Sequence, residues 1–469
     1  MNNQQSTDRL ADDAGVAQQF RRAFLADPAQ HVLMITNHGV HQWQVIPGLP
    51  DTGGQNVFVN QFTETLAKLG FKITIVNRGG FLHPTSGERR TGWRYKDASQ
   101  RILYLDDGLP AFVRKEDMHE RLPALATALE QALAEENADV DLIFSHYWDG
   151  AKLGALYNRT RSHPAPHVWT PHSLGAIKKR NMPPERWPGL RIEQRIAVEQ
   201  ALLSELDAVI ATSSAIEQSL RLDYGYTRPL LFLPPCVDPD RFHPRTAAED
   251  DPVWRFLAER VGLAPHQVRG RQIVTEISRT DRTKRKDVLL RAFAAVRKQV
   301  PDSLLVISID ERQAELAAEL TALIAELELA HHVAVVGSIW DLLPTLYAVS
   351  AVYCTPSVME GFGMAAEEAA ATANPVVASH LVPFVTEYLL GPDVETFECE
   401  TAAHPLTLGG GAVVVQADDI AGFACALSLL LTNPELRQRM GQSAYRTTIP
   451  YFTWDKRVTA LLDQVSTLL

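Results

Sequence analysis

Short runs of apolar residues recur along this chain, and each is followed by a loop and then by a stretch with helical spacing. The first run is HVLMITNHGV (31–40), and the helical stretch NVFVNQFTETLAKLG (56–70) leads directly into the next run, FKITIVN. A continuous apolar run that ends in glycine is typical of a buried parallel strand, and this order is that of a βαβ unit. The pattern predicts an α/β fold with doubly wound, mostly parallel sheets.

The alternation occurs in two series, separated by a segment (233–254) that is rich in proline and acidic residues and favours an extended linker. A chain of 469 residues is also too long for one hydrophobic core. We therefore predict two Rossmann-like domains whose strand ends lie on either side of a central cleft. The predicted divisions are a polar leader (1–30), an N-terminal domain (31–240), a C-terminal domain (241–450) and a C-terminal helix (451–469) that packs back towards the N-terminal domain. The stretch 388–411 is expected to be a long irregular loop.

Composition excludes several classes of protein. A formal net charge of -11 and a pI near 5.8 argue against a broad surface for nucleic acid or anionic lipid. No apolar run approaches the ~20 residues that cross a bilayer, and the polar N-terminus lacks the apolar core of a signal peptide. The cysteines form no CxxC pair, so we expect reduced thiols in a cytoplasmic protein, with neither a zinc site nor a disulfide framework. They are Cys236, Cys354, Cys399 and Cys425.

A cluster of cations follows the strand RQIVTEISR. Between Arg279 and Lys286 the sequence RTDRTKRK contains five basic residues, in an otherwise acidic chain. Cations just beyond a parallel strand are well placed to meet a phosphate group. A solvated charged loop is the alternative. The acidity of the whole chain favours the phosphate interpretation.

Three glutamates surround a glycine turn in MEGFGMAAEEAAA (359–371). Glu360 precedes the turn, and the run of helix formers that follows predicts a helix whose first N–H groups, at Gly363 and Met364, face an anion or a sugar hydroxyl. Glu367 and Glu368 are rotated by ~100° from each other on that helix, so only one of them faces the cleft. A helix made soluble by surface charge is the alternative.

The first half contains one glycine loop and two loops with a histidine. PDTGGQNVF (50–58) is a glycine loop at a predicted helix start, which suits an anion but is also common in plain turns. SHYWDG and TPHSLGAIKKR each follow a short strand, which places His146, Tyr147, His172 and Lys178 at the cleft end. A single histidine there is more often structural than catalytic.

Together these stretches resemble the retaining glycosyltransferases of family 4, which have two Rossmann-like domains in the GT-B fold. The resemblance covers about residues 32 to 454 and is greatest to sucrose-phosphate and mannosylfructose-phosphate synthases. It is carried, in order, by DTGGQ, RKE, SHYWDG, TPHSLG with Lys178, SR with Lys284, and EGFGMAAEE. It implies a hexosyltransferase whose N-terminal domain holds the acceptor and whose C-terminal domain holds a nucleotide sugar.

The resemblance assigns the donor site residue by residue. Arg279 and Lys284 would bind the donor diphosphate, Glu360 the donor sugar and Glu368 the ribose, while His172 would lie near the sugar. These assignments make His172, Arg279, Lys284 and Glu360 the catalytic set, and donor contacts are expected at Gly54, Gly361, Phe362, Gly363, Met364 and Glu368.

The implied chemistry needs no protein nucleophile, because the departing phosphate accepts the proton of an acceptor hydroxyl that attacks on the same face. Fixed cations stabilise the charge that develops on the leaving diphosphate. No convincing DxD motif is present, so neither a metal ion nor another cofactor is expected. The donor, a UDP- or GDP-hexose, is a substrate.

The resemblance also predicts an acceptor site for a phosphorylated sugar such as fructose 6-phosphate, with UDP-glucose or GDP-mannose as donor. The expected contacts are Gly53, Gln55, Lys115, Tyr147, Lys178 and Arg195. Arg191 is an alternative to Arg195. Another small polar, lipid or polysaccharide acceptor, or a catalytically silent nucleotide-sugar binding protein, are the other interpretations. One departure from the family is that Leu381 and Val382 stand where relatives have paired glycines, which restricts close approach of the backbone.

Overall fold

The computed structural model describes residues 14–46, 49–337 and 339–468. The chain divides into two compact units. The first contains the described residues up to Pro234 together with those from Arg457 onward, and the second is Pro235–Lys456. Residues 1–13 of the predicted polar leader lie outside the described residues, and the rest of the leader contains a helix, Ala14–Ala26 (α1).

The first unit is built on one eight-stranded sheet. Its strands are His31–Ile35 (β1), Lys72–Arg78 (β2), Gly92–Tyr95 (β3), Gln100–Leu105 (β4), Leu142–His146 (β5), His167–Thr170 (β6), Ala208–Ala211 (β7) and Leu230–Phe232 (β8). Their order is β3–β4–β2–β1–β5–β6–β7–β8, and all neighbours are parallel except β3 and β4. Strands β1, β2, β5, β6 and β7 confirm the sequence prediction, whereas β3, β4 and β8 were not predicted.

Helices connect these strands and cover the sheet. They are Gly54–Lys68 (α2), Leu122–Glu135 (α3), Tyr147–Thr160 (α4), Gly175–Asn181 (α5), Ile192–Leu202 (α6) and Ser214–Leu222 (α7), with short 3₁₀ turns at Lys115–Glu120 and Pro184–Arg186. All five residues of β1 are buried, as expected of a strand with helices on both faces. The predicted acceptor residues lie on the segments that follow β1, β4, β5 and β6.

The second unit repeats this architecture with a second eight-stranded sheet. Its strands are Gln272–Glu276 (β9), Ser303–Ser308 (β10), Val333–Val336 (β11), Val352–Thr355 (β12), Val376–Ser379 (β13), Glu395–Phe397 (β14), Leu406–Leu408 (β15) and Ala412–Val415 (β16). The order is β11–β10–β9–β12–β13–β16–β15–β14, and the last two pairings are antiparallel. Adjacent residues such as Ile273 and Val274 enter separate hydrophobic clusters, because side chains alternate between the faces of a sheet.

The helices of the second half are Pro252–Val261 (α8), Pro265–Arg269 (α9), Lys286–Gln299 (α10), Ala314–Glu326 (α11), Leu343–Val349 (α12), Met364–Ala370 (α13), Ile420–Thr432 (α14), Pro434–Thr448 (α15) and Trp454–Leu468 (α16). None of the helices in the described part of the chain is long and apolar enough to cross a membrane. The two doubly wound sheets confirm the predicted α/β fold class.

The stretch 388–411 is not the irregular loop that was expected. Strands β14 and β15 pair within it and extend the sheet by antiparallel contacts through β16. A disulfide joins Cys399 of this segment to Cys425 on α14, with their Cα atoms 6.7 Å apart. The prediction of reduced thiols is therefore wrong for this pair, because spacing in sequence does not show that the hairpin returns to α14. The thiols of Cys236 and Cys354 are buried and form no disulfide.

Candidate functional site

The loop between β9 and α10 carries the predicted phosphate-binding cations. Arg279 is exposed, and among the described residues its guanidinium makes no hydrogen bond or ion pair. A 3₁₀ turn, Arg282–Lys284, follows it, and Arg285 has a left-handed backbone with φ 49° before α10 begins. This loop therefore presents Arg279 as a cation available to an anionic ligand.

Three other cations of this loop are held by carboxylates elsewhere. Arg282 makes a two-pronged ion pair with Glu319, at 2.7 and 2.9 Å. Arg285 contacts Asp287 and Asp418, and Lys286 is paired with Glu276 at the end of β9. Arg282, Arg285 and Lys286 are therefore already paired with carboxylates that lie outside RTDRTKRK. The assignment of Arg279 and Lys284 to the donor diphosphate stays a prediction.

Lys284 is paired with Glu360, the glutamate that precedes the glycine turn. The two side chains are 8% and 19% exposed, so the pair sits at the edge of the protein interior. The backbone joins the same two loops, since the Val358 N–H donates to the Thr283 carbonyl at 2.8 Å. The structure therefore brings together two of the predicted catalytic residues, which lie far apart in the sequence.

The turn after Glu360 depends on Gly363. Its φ of 117° lies in the region that favours glycine, and a Cβ placed on it would come within 2.7 Å of the Val382 Cγ1 atom. Phe362 is buried and packs against Phe384, and its predicted contact with the donor stays a prediction. Gly361 is exposed and Met364 is half-buried.

The residues that replace the family's paired glycines have separate positions. Leu381 is exposed, whereas Val382 is fully buried beneath Gly363. The Phe384 N–H donates to the Phe362 carbonyl at 2.8 Å, which ties this segment to the glycine turn. The segment that departs from the family pattern therefore packs against the glycine turn and is hydrogen-bonded to it.

The two adjacent glutamates of α13 differ in exposure. Glu367 is buried and Glu368 is half-buried. Desolvation by burial raises the pKa of Glu368 to about 7, and the nearby Arg241 guanidinium opposes that rise. Neither glutamate is an ordinary surface charge, so the alternative of a helix made soluble by charge is wrong. The assignment of Glu368 to the ribose stays a prediction.

In the first unit, His172 lies among aromatic rings after β6. Its backbone is left-handed with φ 54°, and its Nε2 atom is 2.9 Å from Nδ1 of His146, whose ring stacks on it. Burial lowers the pKa of His172 to about 3, and it lowers the pKa of His146 well below its usual value. Both rings are therefore neutral near pH 7 and act as hydrogen-bonding groups.

The glycine loop leads into α2. Gly54 is exposed at the first position of that helix, and the Gly53 N–H is taken by the Asn56 side chain at 2.9 Å. The Gln55 amide donates to Thr36 Oγ1 at 3.2 Å. Asp51, at the start of the loop, accepts both the backbone N–H and the ammonium of Lys115. The loop is thus held by a hydrogen bond between its own residues and by the contacts of Asp51 with Lys115.

Four of the six predicted acceptor residues line one pocket. Its lining residues are Lys115, Glu116, Tyr147, Trp148, Lys178, Leu190, Arg191, Gln194, Arg195 and Val198. Gly53 and Gln55 do not line it. The sequence reasoning gave no role to Glu116, the last residue of the RKE motif, and it missed Gln194, which no motif marked; both line the same pocket.

Tyr147 organises the cationic side of this pocket. Its hydroxyl accepts hydrogen bonds from Lys178 Nζ at 3.1 Å and from Arg195 Nη1, and the Arg195 guanidinium stacks 4.2 Å from its ring centre. Arg195 is buried and also donates to Glu199 at 2.7 Å. Arg195 therefore fixes Tyr147 and the pocket wall, while Lys178 is the more accessible cation.

Lys115 brings a third positive charge, shared between two carboxylates. It pairs with Asp51 and lies 3.5 Å from Glu116. Burial would lower the pKa of Lys115, but the Asp51 carboxylate outweighs burial and raises it. Burial would raise the pKa of Asp51, but Lys115 lowers it below its usual range. The Lys115 side chain is therefore a stable cation at the pocket.

One further pair near this pocket was not predicted. His38 Nδ1 lies 2.9 Å from the buried Asp149 carboxylate, and the His38 ring meets the Tyr147 ring edge-on at 4.7 Å. The sequence signal was present, because His38 follows β1 in NHG just as His146 ends β5 in SHYWDG. Among the described residues, no group of three or more His, Cys, Asp or Glu side chains is placed to hold a metal ion, and metal independence stays a prediction.

Two models of protein families match the chain. One, described as Glycosyltransferase Family 4, matches residues 52–241, and the other, described as Glycosyl transferases group 1, matches residues 265–447. The structure is similar to a sucrose-phosphate synthase from Thermosynechococcus elongatus, with a TM-score of 0.73, 24% identity, and coverage of 94% of this chain and 99% of that one. This likeness supports the GT-B fold.

Curated relatives cover most of the chain. A D-inositol 3-phosphate glycosyltransferase from Salinispora arenicola is 30% identical over 442 residues, which is 89% of this chain and 88% of the relative. A mannosylfructose-phosphate synthase from Agrobacterium fabrum is 28% identical over 362 residues, or 74% of this chain and 76% of the relative. The chain therefore belongs to glycosyltransferase family 4 and has the GT-B fold of a retaining, nucleotide-sugar-dependent enzyme.

Proposed function

We propose that this enzyme transfers a hexose, with retention of configuration, from UDP-glucose or GDP-mannose to a phosphorylated sugar or cyclitol. The observation that carries this proposal is the pocket that Lys115, Lys178 and Arg195 line together. Each charge-assisted hydrogen bond to a phosphate contributes about 1.5–3 kcal/mol, so this concentration of cations suits a phosphorylated acceptor better than a neutral one.

The names of two relatives support a phosphorylated acceptor. One is a mannosylfructose-phosphate synthase and the other a D-inositol 3-phosphate glycosyltransferase. Both names include a phosphorylated compound, one built on fructose and the other on inositol. Fructose 6-phosphate and inositol 3-phosphate are therefore the two acceptors to compare first.

The donor chemistry is assigned to the second unit. Arg279 and Lys284 would neutralise the charge that develops on the diphosphate as the sugar–phosphate bond breaks. Glu360 would hold the sugar and Glu368 the ribose, and the role of His172 stays a prediction from the family resemblance. The acceptor hydroxyl attacks the anomeric carbon on the face that the diphosphate leaves, and its proton goes to the leaving phosphate oxygen.

A matrix of donors and acceptors tests the proposal. UDP-glucose and GDP-mannose are each incubated with fructose 6-phosphate, inositol 3-phosphate, and the unphosphorylated fructose and inositol, and the product is identified by mass and by anomeric configuration. We expect transfer to a phosphorylated acceptor with kcat/KM at least about 100-fold above its unphosphorylated form. Equal rates for both forms would contradict the phosphate pocket. Donor binding without transfer to any acceptor would instead favour a silent binding protein.

Two adjacent lysines offer a matched pair of variants. Lys178 contacts the Tyr147 hydroxyl in the pocket, whereas Lys179 is paired with Glu193 at 2.6 Å outside it. Lys178→Ala should lower kcat/KM for the phosphorylated acceptor by about 10- to 100-fold, the value of one charge-assisted contact. Lys179→Ala should change it by less than about twofold. Equal effects of the two substitutions would refute the location of the acceptor phosphate.

A further inference from the structure

A buried ion pair closes the base of the loop that carries Arg279 and Lys284. Glu276 is the last residue of β9 and Lys286 is the first residue of α10, so they are the two ends of the segment 277–285. Their side chains are paired and are 0% and 1% exposed. The segment between them is therefore held as a closed loop by two charges that are shielded from solvent.

Two serines extend this pair into a network. Lys286 Nζ also donates to Ser278 Oγ at 3.0 Å and to Ser308 Oγ at 3.2 Å. The Ser278 N–H donates to Ser308 Oγ at 2.9 Å, and the Ser308 hydroxyl donates to the Ser278 carbonyl at 2.6 Å. The backbone directly before Arg279 is thus fixed to the end of β10 as well as to α10.

Stability alone gives a poor reason for a buried ion pair at this position. Removing two charges from water costs several kcal/mol per ion, and buried pairs of this kind are often replaced by apolar residues without loss of stability. Burial also lowers the pKa of Lys286, although Glu276 opposes the shift. The network does have a clear geometric effect, since it sets where the loop leaves β9 and where it enters α10.

We propose that Glu276 and Lys286 are positioning residues that hold Arg279 and Lys284 where the donor diphosphate binds. This inference rests on the proposed donor site and adds residues that never touch the donor. A displacement of about 1 Å at a charged contact weakens it strongly, so a loosened loop costs affinity for phosphate groups without affecting recognition of the base.

The test uses a variant that removes both charges while keeping side-chain size. In Glu276→Gln/Lys286→Met no carboxylate is left buried without its partner, so the melting temperature should stay close to that of the wild type. Dissociation constants are measured for UDP and uridine, and for GDP and guanosine. We expect the affinity for the diphosphate to fall by about 10-fold or more, with the nucleoside affinity unchanged within about twofold.

Two controls separate loop position from general loss of stability. Leu427→Ala creates a cavity in the core of the same unit, since Leu427 is fully buried on α14, and it should lower the melting temperature while leaving the ratio of diphosphate to nucleoside affinity unchanged. If the double variant does not fold, Ser308→Ala removes one hydroxyl of the network and gives the same readout, with a smaller fall in that ratio expected.

An unchanged ratio in the folded double variant, or in Ser308→Ala where the double variant fails to fold, overturns the inference. Arg279→Ala distinguishes this result from failure of the donor site itself. If Arg279→Ala lowers the ratio and the double variant does not, only the positioning role is refuted. If Arg279→Ala also leaves the ratio unchanged, the proposed diphosphate site is wrong and the inference falls with it.

Discussion

Glu360→Gln is expected to strengthen the binding of nucleoside diphosphates while it slows transfer of the sugar. The Glu360 carboxylate pairs with Lys284, and both side chains are mostly buried. A diphosphate that binds Lys284 has to compete with this carboxylate and is also repelled by it. Replacing the carboxylate by a neutral amide removes the competition while keeping the size of the side chain, so nucleoside diphosphates should bind more tightly.

The magnitude follows from the charges and their exposure. Two unit charges 4 Å apart interact by roughly 4 kcal/mol at an effective dielectric constant of 20 and by roughly 1 kcal/mol in water. Because the pair is partly exposed and Lys284 has to be desolvated again by the ligand, a net gain of about 1 kcal/mol is expected, or about 5-fold in Kd. Loss of one charge-assisted contact to the sugar should slow kcat by about 10- to 100-fold.

Calorimetric titration with UDP and GDP gives the Kd values, and initial rates at saturating donor give kcat. Glu319→Gln is the matched control, since Glu319 pairs with Arg282 of the same loop but at an exposed position. It should change neither quantity by more than about twofold. Weaker diphosphate binding in Glu360→Gln, or a kcat within twofold of wild type, would refute the assignment of Lys284 to the diphosphate and Glu360 to the sugar.

Three further outcomes are expected. The pKa of Glu368 is raised to about 7 by desolvation, so between about pH 4.5 and 7 the folded state holds a proton that the unfolded state has released. The unfolding free energy, measured by chemical denaturation, should therefore fall as the pH rises from 5 to 7.5, by at most ~1.4 kcal/mol per pH unit relative to Glu368→Gln. Gly363→Ala combines φ strain with a steric clash and should lower the melting temperature more than Gly391→Ala, where φ is 70° and nothing lies within 4 Å of the new methyl group; equal losses would contradict the packing described. Cys399→Ser opens the loop that spans 26 residues to Cys425 and should cost about 3.5 kcal/mol of unfolding free energy, and a reductant should bring the wild type to the same value while leaving the variant unchanged.

Sequence periodicity predicted the strands that lie in the centres of the two sheets, because a strand buried on both faces is a continuous apolar run. It missed β3 and β4, whose polar residues find partners only after folding. Arg101 of β4 is buried in an ion pair with Glu136 at 2.6 Å and lies 3.8 Å from the centre of the Trp93 ring. A buried arginine in a strand looks like an exposed residue when its partners are unknown.

The candidate site was likewise predicted in part. The motifs included four predicted residues that line the pocket around Tyr147, because the ends of parallel strands meet at one edge of a sheet. They did not show which cations of RTDRTKRK are occupied. Charge is visible in sequence, but the partners of Arg282 and Arg285, Glu319 and Asp418, lie on other elements. The distribution of ion pairs is a property of the fold.

The pairings of Lys284 with Glu360 and of Lys115 with Asp51 have a consequence for selectivity. A simple anion such as inorganic phosphate that takes either ammonium deprives the carboxylate of its charged donor, which costs free energy. A sugar that carries a phosphate brings hydroxyl donors for the carboxylate along with oxygens for the ammonium. At the proposed donor and acceptor sites, the ion pair would therefore favour ligands that combine an anion with a polyol over inorganic phosphate.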